Sequence, residues 1–165
     1  MTVRRFIPWP DNRLRTAAEP VSEITDEIRT LWEDMIETMD AMPGVGLAAP
    51  QIGVMLQVAV VDASETRNRR IRMANPEVLE RSAKLSTHEE ASPNLPGVSA
   101  SIKRPRAVSV RYLDENGVVN RGDFVGLEAT SVQHQIDHLQ GRMYFDRLSK
   151  VKRDMLLRRA KKVKG

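Results

Sequence analysis

The histidines at 134 and 138 constrain this chain more than any other feature. They stand in Gln133-His134-Gln135-Ile136-Asp137-His138-Leu139. Residues four apart on a helix share one face, so both imidazoles can reach one metal ion. Without a metal, the same spacing is that of two histidines satisfied on a buried helix face. In the H-E-x-x-H form of the motif, the residue after the first histidine is a glutamate that takes a proton from metal-bound water. Here that residue is Gln135. An amide holds a hydrogen bond but cannot accept a proton near neutral pH. The ligand spacing is present and the base is absent.

The totals bound the remainder. With 165 residues, 41% hydrophobic and 29% charged, the expected organisation is one domain over residues 1–165 with one sizeable core. No apolar run approaches the roughly 20 residues that span a bilayer. The start of the chain lacks the continuous apolar stretch of a signal peptide. A cytoplasmic location is expected. There is no cysteine, which excludes disulfides, thiolate ligands and a cysteine nucleophile. The net charge of +4 is unevenly placed: residues 150–165 hold eight Lys/Arg against Asp154 alone, a local +7, and the rest of the chain is −3.

Taken in order, Arg4 to Glu23 is punctuated by Pro8, Pro10 and Pro20 and is expected to be a surface arm. Thr25 or Asp26 caps a helix to about Met42, in which Ile28, Leu31, Trp32, Met35, Ile36 and Met39 make an apolar stripe. Pro43 ends it. In Gly44-Val45-Gly46-Leu47-Ala48-Ala49-Pro50-Gln51, two glycines let the backbone approach a ligand closely. Val54 to Val61 reads as a buried strand, Asp62 to Arg70 as a charged loop, Asn75-Pro76 as a turn and Val78 to Leu85 as a further strand. His88 to Gly97 reads as a polar, Pro-rich loop. Val108 to Tyr112 and Val118 to Val125 form a hairpin about Asp114-Glu115-Asn116-Gly117. Gly126-Leu127 opens the helix of the two histidines, with Leu127, Val132, Ile136 and Leu139 as its apolar contacts, and Gly141 closes it. A basic helix follows over about 149–161.

Three of these stretches resemble the motifs of one family, the bacterial peptide deformylases. Gly44 to Gln51 matches G-x-G-L-A-A-x-Q. Glu90-Ala91-Ser92-Pro93-Asn94, with Pro96-Gly97 after it, stands where the family has E-G-C-L-S and a Pro-Gly. Gln133 to Gly141 matches Q-H-E-x-D-H-L-x-G with Gln135 for the glutamate, and Arg104-Pro105 matches a later Arg-Pro. The resemblance implies an α+β fold, with antiparallel strands packed around the helix of the two histidines. It implies removal of the formyl group from the N-terminal methionine of new proteins. It also implies a divalent ion (Fe, Ni or Zn) held by two histidines and a cysteine, a glutamate that activates water, and an oxyanion site. That site is made by the motif glutamine and the backbone N–H of the leucine after the cysteine.

Placed on this sequence, His134 and His138 keep the metal-ligand positions and Gln51 keeps the oxyanion position, beside Gly46. Ser92 replaces the cysteine, Gln135 the glutamate and Pro93 the leucine. A neutral hydroxyl is a poor ligand beside a thiolate, and proline has no N–H to donate. Losing an oxyanion donor costs on the order of 10²–10³ in rate, and losing a general base roughly 10²–10⁴. The resemblance puts the substrate pocket at Gly44, Val45, His88, Leu95, Gly97, Leu127, Thr130, Ser131 and His134. His88, Thr130 and Ser131 make it more polar than a methionine pocket. It also implies that Glu90 and Arg104 form a structural ion pair. Metal binding is therefore expected to be weak or absent, and the favoured reading is a deformylase-like binding module that has lost the reaction. A weak or altered amidase on another acylated amine, and a slow genuine deformylase, are the alternatives. Peptide N-terminal segments are expected ligands. Ribosomal RNA is an expected partner of residues 150–165, because the family's last helix is thought to sit beside the nascent-chain exit and basic helices bind polyanions. Neither a membrane nor DNA is expected as a partner.

Overall fold

The computed structural model describes residues 2–164. Helix α1, Asp26–Ala41, starts where Thr25 accepts a hydrogen bond from the Ile28 N–H at 3.3 Å. Asp26 and Glu27 in its first turn complement the helix dipole. Its 3.6-residue stripe is buried, with Trp32, Met35 and Met39 at 0% exposure. The Trp32 indole N–H donates to the Ala59 carbonyl at 3.1 Å and so anchors the helix to the sheet.

That sheet has five antiparallel strands in the order β1-β2-β3-β6-β7: Gly46–Ala48, Val58–Val61, Ile71–Arg81, Ala107–Leu113 and Val119–Val125. A separate antiparallel pair, β4 (Leu85–Glu90) and β5 (Ala100–Pro105), stands apart from it. Asn75-Pro76 is not a turn. It lies inside β3, where the register with β6 shifts between Ala74 and Glu77. Pro76 has no N–H for the ladder, and Asn75 takes a φ of 51°. The Asn75 amide bonds both backbone groups of Val21, at 2.7 and 2.8 Å, so a turn signal is absorbed as a bulge that fastens the N-terminal segment. The hairpin of β6 and β7 turns on Asp114, whose Oδ1 accepts the N–H groups of Asn116 and Val118.

The N-terminal segment is not a surface arm. Ile7, Leu14, Ala18 and Val21 are all buried. Its backbone is hydrogen-bonded to Gln51, Asn94 and Leu139.

Helix α2, Leu127–Leu139, is the centre of the molecule. Every residue from Ala129 to Leu139 is buried, on all sides of the helix. Leu127 is the exception at 43% exposure, so it is no core contact. After Gly141, the 3₁₀ turn Tyr144–Arg147 leads into α3, Lys150–Lys164. Leu156 and Ala160 dock α3 onto the core beside Met143 and Phe145, while Val151 and Met155 stay exposed. No helix among the described residues is long and apolar enough to cross a membrane.

Candidate active site

Three elements converge on the two histidines: the β1 segment with the turn Ala49–Ile52, the β4–β5 pair with the loop that joins its strands, and α2. His134 and His138 lie one turn apart, their Nε2 atoms 3.2 Å from each other. The Nδ1 of His134 is 2.9 Å from Glu90 Oε1, so that nitrogen donates its proton to the carboxylate. Tyr144 stacks on the His134 ring, with centroids 6.0 Å apart at 15°. Burial, and then Glu90 and Glu89, push the Tyr144 hydroxyl up to about 12. Burial, and then the charges of His134 and Arg104, push His138 well below the ordinary imidazole value, so it is neutral.

Behind the histidines runs an ionic chain. Arg104, 0% exposed, donates from Nε and Nη2 to the two oxygens of Glu90 at 2.7 and 2.8 Å, and from Nη1 to Asp137 at 2.9 Å. Asp137 also takes two hydrogen bonds from Arg147. Burial drives the Glu90 carboxyl up, but the hydrogen bonds and charges of Arg104 and His134 more than reverse this, and it stays ionised. Four elements are tied by these charges: β4, β5, α2 and the turn after α2.

In front lies a neutral network. The Gln51 Nε2 group donates to Asn94 Oδ1 at 2.9 Å and to Ser92 Oγ at 3.2 Å, while its Oε1 accepts the Ala48 N–H. The Ser92 hydroxyl donates to Asn94 Oδ1 at 3.1 Å. Asn94 Nδ2 donates to the carbonyls of Ile7 and Gln51. All three residues are buried. Every hydrogen of the Gln51 amide and the Ser92 hydroxyl is used inside this network.

As a metal centre the donor set is incomplete. Two nitrogens bound to one tetrahedral ion at about 2.0–2.1 Å stand roughly 3.4 Å apart, and a carboxylate on the far nitrogen orients such a ligand. The two imidazoles and Glu90 match that pattern. The third donor position holds a neutral hydroxyl already committed to Gln51 and Asn94, and no group of three His, Cys, Asp or Glu among the described residues is placed to hold an ion. The residues present do not fit a three-ligand metal site.

Residues 3–154 match the family model described as polypeptide deformylase. The chain belongs to the deformylase family. It is 42% identical over 161 residues to the peptide deformylase of Afipia carboxidovorans, covering 96% of this chain and 94% of that one. It is 41% identical over 165 residues to that of Bradyrhizobium sp. (strain ORS 278), with the same coverage. The crystal structure of the Legionella pneumophila peptide deformylase superposes with a TM-score of 0.92 at 37% identity, over 99% of this chain and 96% of that one. The α+β architecture, with antiparallel strands about the histidine helix, is the deformylase fold. Membership implies the family reaction and a divalent metal as the family's cofactor.

A cavity of about 420 Å³ opens in front of His134. It is lined by Gly44, Val45, Gly46, Gln51, Ser92, Pro93, Leu127, Thr130, Ser131 and Gln135 among others. Three positions that deformylase resemblance puts in the pocket are elsewhere. His88 stands on β4 with Nδ1 2.9 Å from the Oγ1 of Thr130, a residue of the lining, and is not itself part of that lining. Leu95 packs in the cluster of Ile7, Met143 and Phe145. Gly97, at φ 87°, lies against Val163 of α3. The polar wall is also less open to a ligand than its composition suggests. The Thr130 hydroxyl is occupied by His88, and the Ser131 hydroxyl donates to the Val45 carbonyl at 2.8 Å. Sequence reasoning missed Asn94, Tyr144, Asp137 and Arg147. Asn94 had a signal: it stands where the family motif has serine, and its longer amide reaches Gln51.

Proposed function

We propose that this chain keeps the deformylase fold as a cytoplasmic binding module for peptide N-terminal segments, with removal of the formyl group lost or severely impaired. The observation that carries this reading is the closed hydrogen-bond set of Ser92, Asn94 and Gln51. It occupies the hydroxyl that stands for the metal thiolate and the amide that would stabilise a formyl oxygen. Gln135 cannot replace the missing base, and Pro93 has no N–H to offer. Metal binding is weak or absent on this reading. The test is metal content of protein purified without oxygen, with turnover of formyl-Met peptides in added ferrous, nickel, cobalt or zinc ions. The expected result is less than stoichiometric metal and no turnover. Tight 1:1 metal that survives dialysis, together with turnover, overturns the reading.

One observation favours a second reading, a metal-dependent amidase acting on a different acylated amine: the 3.2 Å separation of the two Nε2 atoms suits a shared ion. Stoichiometric metal with turnover of other N-acyl peptides, but not of formyl-Met peptides, selects it.

The basic helix supports a further part of the proposal, docking on ribosomal RNA. α3 buries Leu156 and Ala160 and leaves Lys152, Arg158, Arg159, Lys161 and Lys162 exposed. Such a surface binds a polyanion with strong salt dependence. Co-sedimentation with ribosomes should be strong at low salt, weak at high salt and lost without residues 150–165. Equal binding by the shortened chain overturns it.

A further inference from the structure

Strand β7 is the open edge of the five-stranded sheet. At the opposite edge, β1 is three residues long and wholly buried. β7 runs from Val119 to Val125 without a proline and keeps an unbroken register with β6. Shortness, proline and bulges are common guards on a sheet edge, and β7 has none of them.

The ladder between β6 and β7 shows which backbone groups are free. It is bracketed by the Asp114 N–H on the Val118 carbonyl at 3.0 Å and the Gly126 N–H on the Arg106 carbonyl at 2.9 Å. Antiparallel bonding alternates along a strand, so the even-numbered residues between these two face β6. Val119, Arg121, Asp123 and Val125 therefore turn their N–H and C=O groups outwards. Among the described residues, no other element bonds them. The side chains of these four share one face. That face is open to solvent, with Val119 and Val125 at 62% and 58% exposure and the Arg121 and Asp123 side chains at 52% and 77%.

We propose that β7 pairs antiparallel with β7 of a second copy of this chain, about a two-fold axis at Gly122. Only the outward-facing residues can exchange hydrogen bonds across the new ladder. With Gly122 on the axis, Val119 meets Val125 of the other copy and Arg121 meets Asp123, each pairing occurring twice. A slip of two residues one way sets Arg121 on Arg121, and a slip the other way sets Asp123 on Asp123. Opposite charges facing each other across a ladder are favourable and like charges are not. The two charges thus oppose the neighbouring registers and select this one. Within a single copy, Arg121 lies directly across from Arg111, and its carboxylate contacts are long, at 3.4 Å to Glu80 and 3.7 Å to Asp123. Asp123 of the second copy offsets that like-charge pair. β7 leads through Gly126 into Leu127, a residue of the cavity lining, so the same register brings the second copy's hairpin turn alongside that residue.

The experiment is sedimentation velocity of the full chain over a range of concentrations. The interface is small, so the wild-type protein should dimerise with a dissociation constant on the order of 10–100 μM. Arg121→Asp and Asp123→Arg should each weaken the dimer at least about tenfold, because each creates two like-charge pairs. An equimolar mixture of the two variants restores both Arg–Asp pairs and should associate as tightly as the wild type. Association on mixing also shows that both variants are folded. Should a reversed charge unfold the chain, Arg121→Gln takes its place and should weaken the dimer a few-fold. A wild-type protein that stays monomeric up to about 500 μM overturns the proposal whatever the variants do. Folded variants that dimerise like the wild type, or that stay monomeric when mixed, overturn it too.

Discussion

Glu90 and Ser92 stand two residues apart and belong to buried networks of opposite character. Glu90 opens an ionic chain through Arg104 and Asp137 to Arg147. Ser92 belongs to a neutral set with Asn94 and Gln51. The ionic chain cannot lose one member cheaply, because its partner is left charged and buried. The neutral set carries no charge, so exchanging one hydroxyl or amide for another costs far less. The chemistry of the site could therefore change on the Ser92 side while the Glu90 side went on holding β4, β5 and α2 together.

The sharpest way to break this comparison is to rebuild the neutral side alone. Gln135→Glu by itself should give little turnover of formyl-Met peptides, because ligand and oxyanion donors are still missing. Ser92→Cys, Pro93→Leu, Asn94→Ser and Gln135→Glu together should raise turnover with added ferrous or nickel ion by roughly 10²–10⁴ over the single change. If the single change restores full turnover, the neutral network is no barrier. The reverse test is Arg104→Leu, which leaves buried Glu90 with His134 alone and buried Asp137 with Arg147 alone. It should cost about 3–5 kcal/mol in urea denaturation. Asn94→Leu leaves the Gln51 N–H groups and the Ile7 carbonyl short of partners and should cost less, about 1–3 kcal/mol. A larger loss for Asn94→Leu than for Arg104→Leu would invert the comparison.

The smallest effect concerns acid. Asp146 lies at the edge of the ionic side and is bonded to Arg15 and to the Met143 N–H. Burial raises its pKa, but Arg15, the Met143 N–H and the charge of Arg153 together bring it below the ordinary carboxylate value. A folded-state pKa below the unfolded one gives stability that is complete above the unfolded value and lost as pH falls through the folded one. Asp146→Asn should flatten the fall in stability below about pH 4 by up to about 1.4 kcal/mol per pH unit. Asn94→Leu should leave that slope unchanged, because the neutral side holds nothing that titrates. Denaturation midpoints at neutral and acid pH compare the two.

The parts of this architecture legible in sequence were those with a period or a cap: the stripe of α1 with Thr25 before it, the hairpin about Asp114, the helix of the two histidines and the basic helix. The β4–β5 pair was legible only in part. Leu85 to Glu90 alternates weakly and runs into Pro93 and Pro96, so Leu85 read as the end of another strand and His88 to Glu90 as loop, and Ala100–Pro105 is polar on its outer face. β1 is three residues long, too short for any period. Asn75-Pro76 carries the chemistry of a turn, and only pairing with β2 and β6 makes it a bulge. At the site, motif spacing placed Gln51, Ser92, His134, Gln135 and His138 around one cavity wall or behind it. It could not show that the Ser92 hydroxyl faces Asn94, nor that His88 bonds Thr130, because both depend on side-chain direction.

The N-terminal segment has one further consequence, in time rather than in space. Ile7 is joined to Asn94 across 87 positions, and Arg15 to Asp146 across 131. A chain made from its N-terminus forward brings out Ile7 and Arg15 first and Asp146 almost last. Contacts this far apart in sequence slow folding, since the intervening loop must close before they give any return. The segment can be fastened in stages: Arg4 meets Asp34 and Ile7 meets Gln51 early, Ile7 meets Asn94 later, and the clasp of Arg15 to Asp146 closes only after residue 146 has been made.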